Sequence, residues 1–255
     1  MSLKYQWLEL LYLLVLKELK VRYKRSWLGY VWAIANPFMF ALVYWVAFKL
    51  IMRVPTENYI VFLLSGIFPW RWLSQGVIHG TGSFIHNLSL VRRVSLPKLI
   101  LPLSHVVQEM VHFICAIPVI FFFMIINKVA LQSWSFLWGV PLMVLLQILW
   151  VFPLAVIGAV CHVYVRDVEY LLGILFSILF YLTPMVYPLS MVPSAYQPLF
   201  KANPAYWLID AWRLVLVGGD LTFSHMINIV GAIVVFSAIA ISIYRRMAPR
   251  IGEHV

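Results

Sequence analysis

Ile100 to Ile126 reads ILPLSHVVQEMVHFICAIPVIFFFMII, with one acidic residue, Glu109, and neither Lys nor Arg. A helix of that length extends about 40 Å, more than the roughly 30 Å hydrocarbon core of a bilayer. Inside hydrocarbon every backbone polar group must be paired within the segment, and an α-helix does this by itself. The stretch therefore reads as a membrane-crossing helix.

Working outward, residues 29–52, 59–78, 135–161, 170–187 and 226–244 are apolar enough to do the same. The sequence predicts an all-α integral membrane protein with six transmembrane helices. Its parts are a cytoplasmic amphipathic interface helix (1–28), a single transmembrane domain (29–246) and a cytoplasmic tail (247–255). The composition agrees: 64% of residues are hydrophobic and 11% charged, where a soluble domain carries roughly a quarter. The span lengths leave no room for a second, soluble domain.

A formal charge of +10 in a soluble protein would point to nucleic acid. Here the basic residues crowd the ends of apolar runs, so anionic lipid headgroups and topology account for them and no nucleic-acid partner is expected. The segment before the first span is too charged to cross: the stretch 10–16 covers barely two turns before Lys17, Glu18, Lys20, Arg22, Lys24 and Arg25. Gln6, Glu9, Lys17, Lys20 and Lys24 share one narrow arc, so this helix is expected to lie along the membrane surface. With the N-terminus inside, thirteen Lys and Arg fall on the inner side and five on the outer, with Arg71 inside the second span. That asymmetry places both termini in the cytoplasm. Cys115 and Cys161 lie inside spans without a CxxC pattern and carry no redox information.

The connection between the fifth and sixth spans is too apolar for a solvated loop. Within it Asn203 is placed to cap a helix, Pro204 to occupy its first turn and Gly218 to end it. A short amphipathic or re-entrant helix on the outer face is expected there.

Chemistry is sparse. The phosphate-cradling GxxxxGK[ST] loop is absent, as is any Gly-Lys pair, so ATP hydrolysis cannot be assigned to this chain. Ion-coupled carriers place carboxylates at mid-membrane, and Glu109 is the one candidate. His105, Glu109 and His112 share a helix face; they read as a polar strip that hydrogen-bonds neighbouring helices or faces water, and no metal is assigned. Arg71, after Pro69 and Trp70, either lines a polar passage or follows a break that shortens its span; the sequence leaves both open. Gly76 and Gly80 form one GxxxG, which permits close helix approach. Phe40, Tyr44 and Phe48 recur at i, i+4 and i+8, a stripe that suits the apolar faces of sugar rings as well as ordinary packing against lipid or neighbouring helices.

Several strings occur in a fixed order: residues 20–29 (KVRYKRSWLG), Trp32 with Asn36-Pro37, residues 65–70 (SGIFPW), residues 92–98 (RRVSLPK), Arg166-Asp167-Val168, Thr183-Pro184-Met185, and Asn203-Pro204 with Arg213. Together they resemble the permeases of ABC-2 type exporters for bacterial polysaccharides, most of all those for O-antigen. The resemblance implies a homodimer in the bacterial inner membrane, joined to two copies of a nucleotide-binding ATPase. It also implies that a lipid-linked polysaccharide passes between the permeases, and that ATP and magnesium sit on the partner, with no cofactor on this chain. Teichoic acid and capsule exporters resemble it over the same strings. The rival class is an integral membrane glycosyltransferase, but the nine acidic residues are scattered, without the paired acids such catalysis needs.

Phe40, Tyr44, Phe48 and Arg71 are thus the candidate channel residues, and Arg166 and Asp167 mark a cytoplasmic loop. Between the second and third spans, Val91 and Val94 offer apolar anchors, and Arg92, Arg93 and Lys98 offer cations for partner carboxylates or anionic lipid. With Leu96 and Pro97 they form the expected coupling segment, its helix limited by Pro97 and Pro102.

Overall fold

The structure is a computed structural model that describes residues 3–23, 29–51, 58–93, 97–129 and 133–247. Among these residues every regular element is helical. The major helices are α1 (Leu3–Tyr23), α2 (Trp32–Trp45), α3 (Tyr59–His86), α4 (Leu88–Arg93), α5 (Ile100–Ile126), α6 (Ser133–Tyr164), α7 (Val168–Leu182), α8 (Gln197–Ala202), α9 (Pro204–Val217) and α10 (Phe223–Met247). A 3-10 turn, Gly29–Val31, leads into α2, and a wider π-helical stretch, Val46–Ile51, continues it.

Among the described residues three helices are both long and apolar enough to cross a bilayer: Ile100–Ile126, Phe136–Tyr164 and Phe223–Met247. The chain is an integral membrane protein of helical type. Helix α3 is long enough but carries Arg71 and a polar end, whereas α2 and α7 are short apolar helices.

The centre of the fold is α3, which packs against α2, α5, α6, α7 and α9 and buries most of its residues. The glycines make this possible. A Cβ on Gly76 would stand 3.0 Å from Val151 Cγ1, and one on Gly80 would stand 2.7 Å from Ala155 Cβ. The GxxxG stripe is therefore spent on contact with α6 of the same chain. Helix α3 also runs unbroken through Pro69, which removes a break as the explanation for Arg71.

Two poles are distinct. At one, α1 lies against α5, and Leu14, Phe84, Val91, Leu101, Val160 and Ala240 share an apolar cluster. Lys17 Nζ donates to Asn87 Oδ1 at 3.0 Å, tying α1 to the corner between α3 and α4. Glu9, Lys17 and Lys20 of α1 are exposed, as the surface-helix pattern requires, but so are Leu8, Tyr12 and Val21. At the other pole sits α9, bounded as its sequence predicts: Asn203 Oδ1 accepts from Ala205 N at 3.0 Å, Pro204 opens the helix, and Gly218 ends it at φ 92°. Most of α9 is buried against α3, α6 and α10, so it is packed into the bundle rather than laid across its surface.

Helix boundaries differ from expectation where polar residues decide them. The expected 59–78 span runs on to His86, because Thr81 and Ser83 are buried against neighbours and Thr81 returns its hydroxyl to the Val77 carbonyl. The expected 170–187 span is α7, which starts at Val168 and stops at Leu182. Thr183 is extended there, as the residue before Pro184 is steered to be.

Candidate functional site

Of the four candidate channel residues, Phe40, Tyr44 and Arg71 come together on one flank. Arg71, just before the midpoint of α3, places its guanidinium 4.8 Å over the Phe40 ring. Its Nη1 also reaches Asn36 Oδ1 at 3.5 Å. Phe40 and Tyr44 stack with ring centroids 6.4 Å apart, as their i, i+4 spacing on α2 dictates. Tyr44 lies within electrostatic reach of Arg71 and Tyr181. Phe48 falls in the π-helical continuation of α2, and its side chain lies outside the described residues. A cation held over an aromatic face and against an amide is the pairing that makes a charge tolerable at membrane depth.

Next to this cluster α7 stands apart from the bundle. Trp70 holds it edge-on through Phe176 and Phe180, at centroid distances of 6.1 and 6.0 Å. Phe176 is its one buried residue, and Tyr170, Ile174, Ile178 and Tyr181 are exposed. A groove of about 590 Å³ runs between α7 and α3, floored by Ile78 and Gly173, with Glu169 at one end and Ser177 and Tyr181 along it. The flank is thus aromatic, mostly apolar and studded with a few hydroxyl, amide and charged groups.

Three of the strings converge at the α9 pole: residues 65–70, Thr183-Pro184-Met185, and Asn203-Pro204 with Arg213. Arg213 Nη2 donates to the Met185 carbonyl at 2.9 Å, and its guanidinium lies 4.0 Å over the Phe62 ring. Gly66 leaves the room: a Cβ there would stand 2.7 Å from Nη2. Tyr59 Oη donates to the Val186 carbonyl at 2.7 Å and Asn203 Nδ2 to Thr183 Oγ1 at 2.8 Å. The residues after α7, left without helical partners by Pro184, are satisfied from α3 and α9. Gln147 closes the knot: its Nε2 donates to the Pro69 carbonyl at 2.8 Å, and its Oε1 accepts from Trp212 Nε1. Sequence reasoning singled out neither Gln147 nor Tyr59, and Gly66 only as part of the 65–70 string. Gln147 carried a signal, as the one amide in an apolar run, where an unpaired polar group is costly.

Of the His and Glu strip, Glu109 is bonded across helices, by a partner the spacing did not supply, while Nε2 of His105 and of His112 is buried without a hydrogen bond. His79 of α3 reaches Glu109 Oε1 at 3.1 Å through Nδ1, and His112 lies 3.9 Å from Oε2. Among the described residues no group of three His, Cys, Asp or Glu side chains is placed to hold a metal.

The expected coupling segment is divided. Val91 is buried in this chain's own cluster with Leu14 and Phe84, so it anchors α4 to the body of the molecule; Leu88 is the exposed apolar residue of α4. Arg92 and Arg93 end α4, their side chains outside the described residues, and Val94 and Leu96 lie outside them altogether. Pro97 is exposed and Lys98 half-buried, and their carbonyls accept from Ile100 and Leu101 to start α5. Arg166 and Asp167 form the turn between α6 and α7, where His162 Nε2 lies 3.5 Å from Glu169.

No protein-family model matches the chain. It is 34% identical over 245 residues to an O-antigen export system permease protein RfbA of Klebsiella pneumoniae, covering 96% of this chain and 94% of that protein. A protein of the same name from Myxococcus xanthus is 32% identical over 216 residues, 83% of this chain and 81% of that one. The polysialic acid transport protein KpsM of Escherichia coli is 23% identical over 217 residues, 84% of each chain. With the helical membrane fold and identity spread over nearly the whole length, the chain belongs to the family of polysaccharide export permeases that these O-antigen proteins represent.

Proposed function

We propose that this chain is the membrane subunit of an ABC exporter that moves a lipid-linked, O-antigen-like polysaccharide across the bacterial cytoplasmic membrane. The observation that carries the reading is Arg71 held over the exposed ring of Phe40, which stacks on Tyr44, in a chain collinear with O-antigen export permeases. Aromatic faces pack against the apolar faces of sugar rings, and isolated hydroxyl, amide and guanidinium groups bond to their hydroxyls without holding the chain so firmly that it stops. A permeating polymer needs many weak contacts rather than one tight site.

In this reading α2, α3, α5, α6, α7 and α10 are six spans, both termini are cytoplasmic, and two copies face each other across the α2 and α7 flank. Hydrolysis of ATP, with its magnesium, belongs to two copies of a separate ATPase. The segment from α4 through Lys98 receives their motion: Lys17 bonded to Asn87 and Val91 packed under Leu14 would make α1 and α4 move as one piece, as transmission requires. The purified chain alone should turn over no ATP, and the complex with its ATPase should couple hydrolysis to polymer transfer. ATP turnover by the chain alone would overturn the division of labour.

A further inference from the structure

A second groove, of about 370 Å³, opens between α6 and α10 at the α1 pole, away from the α2 and α7 flank. We infer that it is a binding site for one anionic phospholipid, with an acyl chain along the groove and the headgroup phosphate on Arg245.

The shape comes from sequence. Pro153 cannot donate to the α6 ladder and sits in the wall of the groove. Opposite it α10 presents Ser237 and Ala240, too small to fill the space, and Val156 and Ala240 form a buried floor. The lining is almost wholly apolar from Phe152 to Ile241, and Tyr244 and Arg245 are the residues of α10 nearest its C-terminal end that line the groove. From Ser237 to Arg245 is about 12 Å along a helix, enough for the upper part of an acyl chain below its headgroup.

The occupant follows from position and charge. Ile241, which lines the groove, and Val234, two turns before it on the same face of α10, are exposed, so the groove lies on a helix face that meets hydrocarbon, where acyl chains are the material at hand. Arg245 and Arg246 are adjacent cations in the last turn of α10, and a guanidinium takes a phosphate oxygen pair more specifically than a point charge does. The inference needs only that the chain is membrane-embedded, and binding is measured without export.

The test titrates the full-length chain in detergent with phosphatidylglycerol, phosphatidylcholine or soluble glycerol phosphate, and counts retained molecules by native mass spectrometry. Phosphatidylglycerol should be retained in preference to phosphatidylcholine, and glycerol phosphate not at all. R245Q should weaken phosphatidylglycerol about 5-fold, the share of one surface cation, with R245K weakened less. S237L, which adds apolar volume to the groove and so does not threaten insertion, should lower retention of the lipid while leaving thermal unfolding unchanged. R166Q, a cation in the α6 to α7 turn that does not line the groove, should change nothing. Equal retention of both lipids, full retention by S237L, or equal losses in R166Q and R245Q would overturn the site. Retention of glycerol phosphate as strong as that of the lipid would make it a free phosphate site and overturn the lipid assignment.

Discussion

Arg213 donates to the carbonyl of Met185 from 2.9 Å, and this one bond joins α9 to the segment where Pro184 has ended α7. The cation is 7% exposed and is paid for by geometry: a carbonyl on one side, the Phe62 face on another, and a glycine at position 66 that gives it room.

R213K keeps the charge and loses the planar fork that bonds and stacks at once. G66A should be destabilised by about 1 to 3 kcal/mol through overpacking. The two substitutions should be non-additive, since the shorter-headed lysine leaves part of the space an alanine needs. Thermal unfolding of the detergent-solubilised single and double variants checks this. Strict additivity would mean that Gly66 serves another neighbour.

Gln147 gives a second test. Q147L leaves the Trp212 N–H buried without an acceptor, which costs about 1 to 3 kcal/mol. Adding W212F removes the stranded donor, so the double variant should recover part of the loss. A W212F change that deepens the Q147L defect would show that the contact is one of shape alone.

Topology is checked by single cysteines in a variant lacking Cys115 and Cys161. Labels at exposed positions of 86–93 and 165–168 should react only from the cytoplasm, and those at 195–202 only from outside. Reversed labelling would invert the orientation drawn from thirteen inner against five outer basic residues.

His79 and Glu109 form a further pair. E109Q keeps an acceptor for His79 and should preserve folding, whereas E109L strands buried polar groups and should lower stability by about 1 to 3 kcal/mol. Equal stability of the two variants, measured by thermal unfolding, would mean that the strip faces water.

What the sequence made legible was local chemistry. The bounds of α9 follow from Asn203, Pro204 and Gly218 because a cap, a first-turn proline and a positive-φ glycine act within a few residues. The stop of α7 was not anticipated: the expected 170–187 span runs through Pro184, whereas the helix ends at Leu182, because Pro184 steers Thr183 out of helical backbone. The identity of α3 as the hub was not legible, because it depends on what Gly76 and Gly80 meet on α6. The His79 partner of Glu109 lies 30 positions away on another helix, beyond the reach of helical spacing. Val91 was visible as an anchor, but not that its anchorage is Leu14 and Phe84 of its own chain.

The most direct measurement concerns export itself. The gene is deleted in its native host, and surface polysaccharide is compared with lipid-linked polymer retained inside, with the wild-type chain or a Phe40, Tyr44 and Phe48 triple alanine variant returned. Deletion should abolish surface polymer and accumulate it inside. The wild-type chain should restore export, and the triple variant should insert stably yet export poorly. Unchanged surface polysaccharide in the deletion strain would contradict the account.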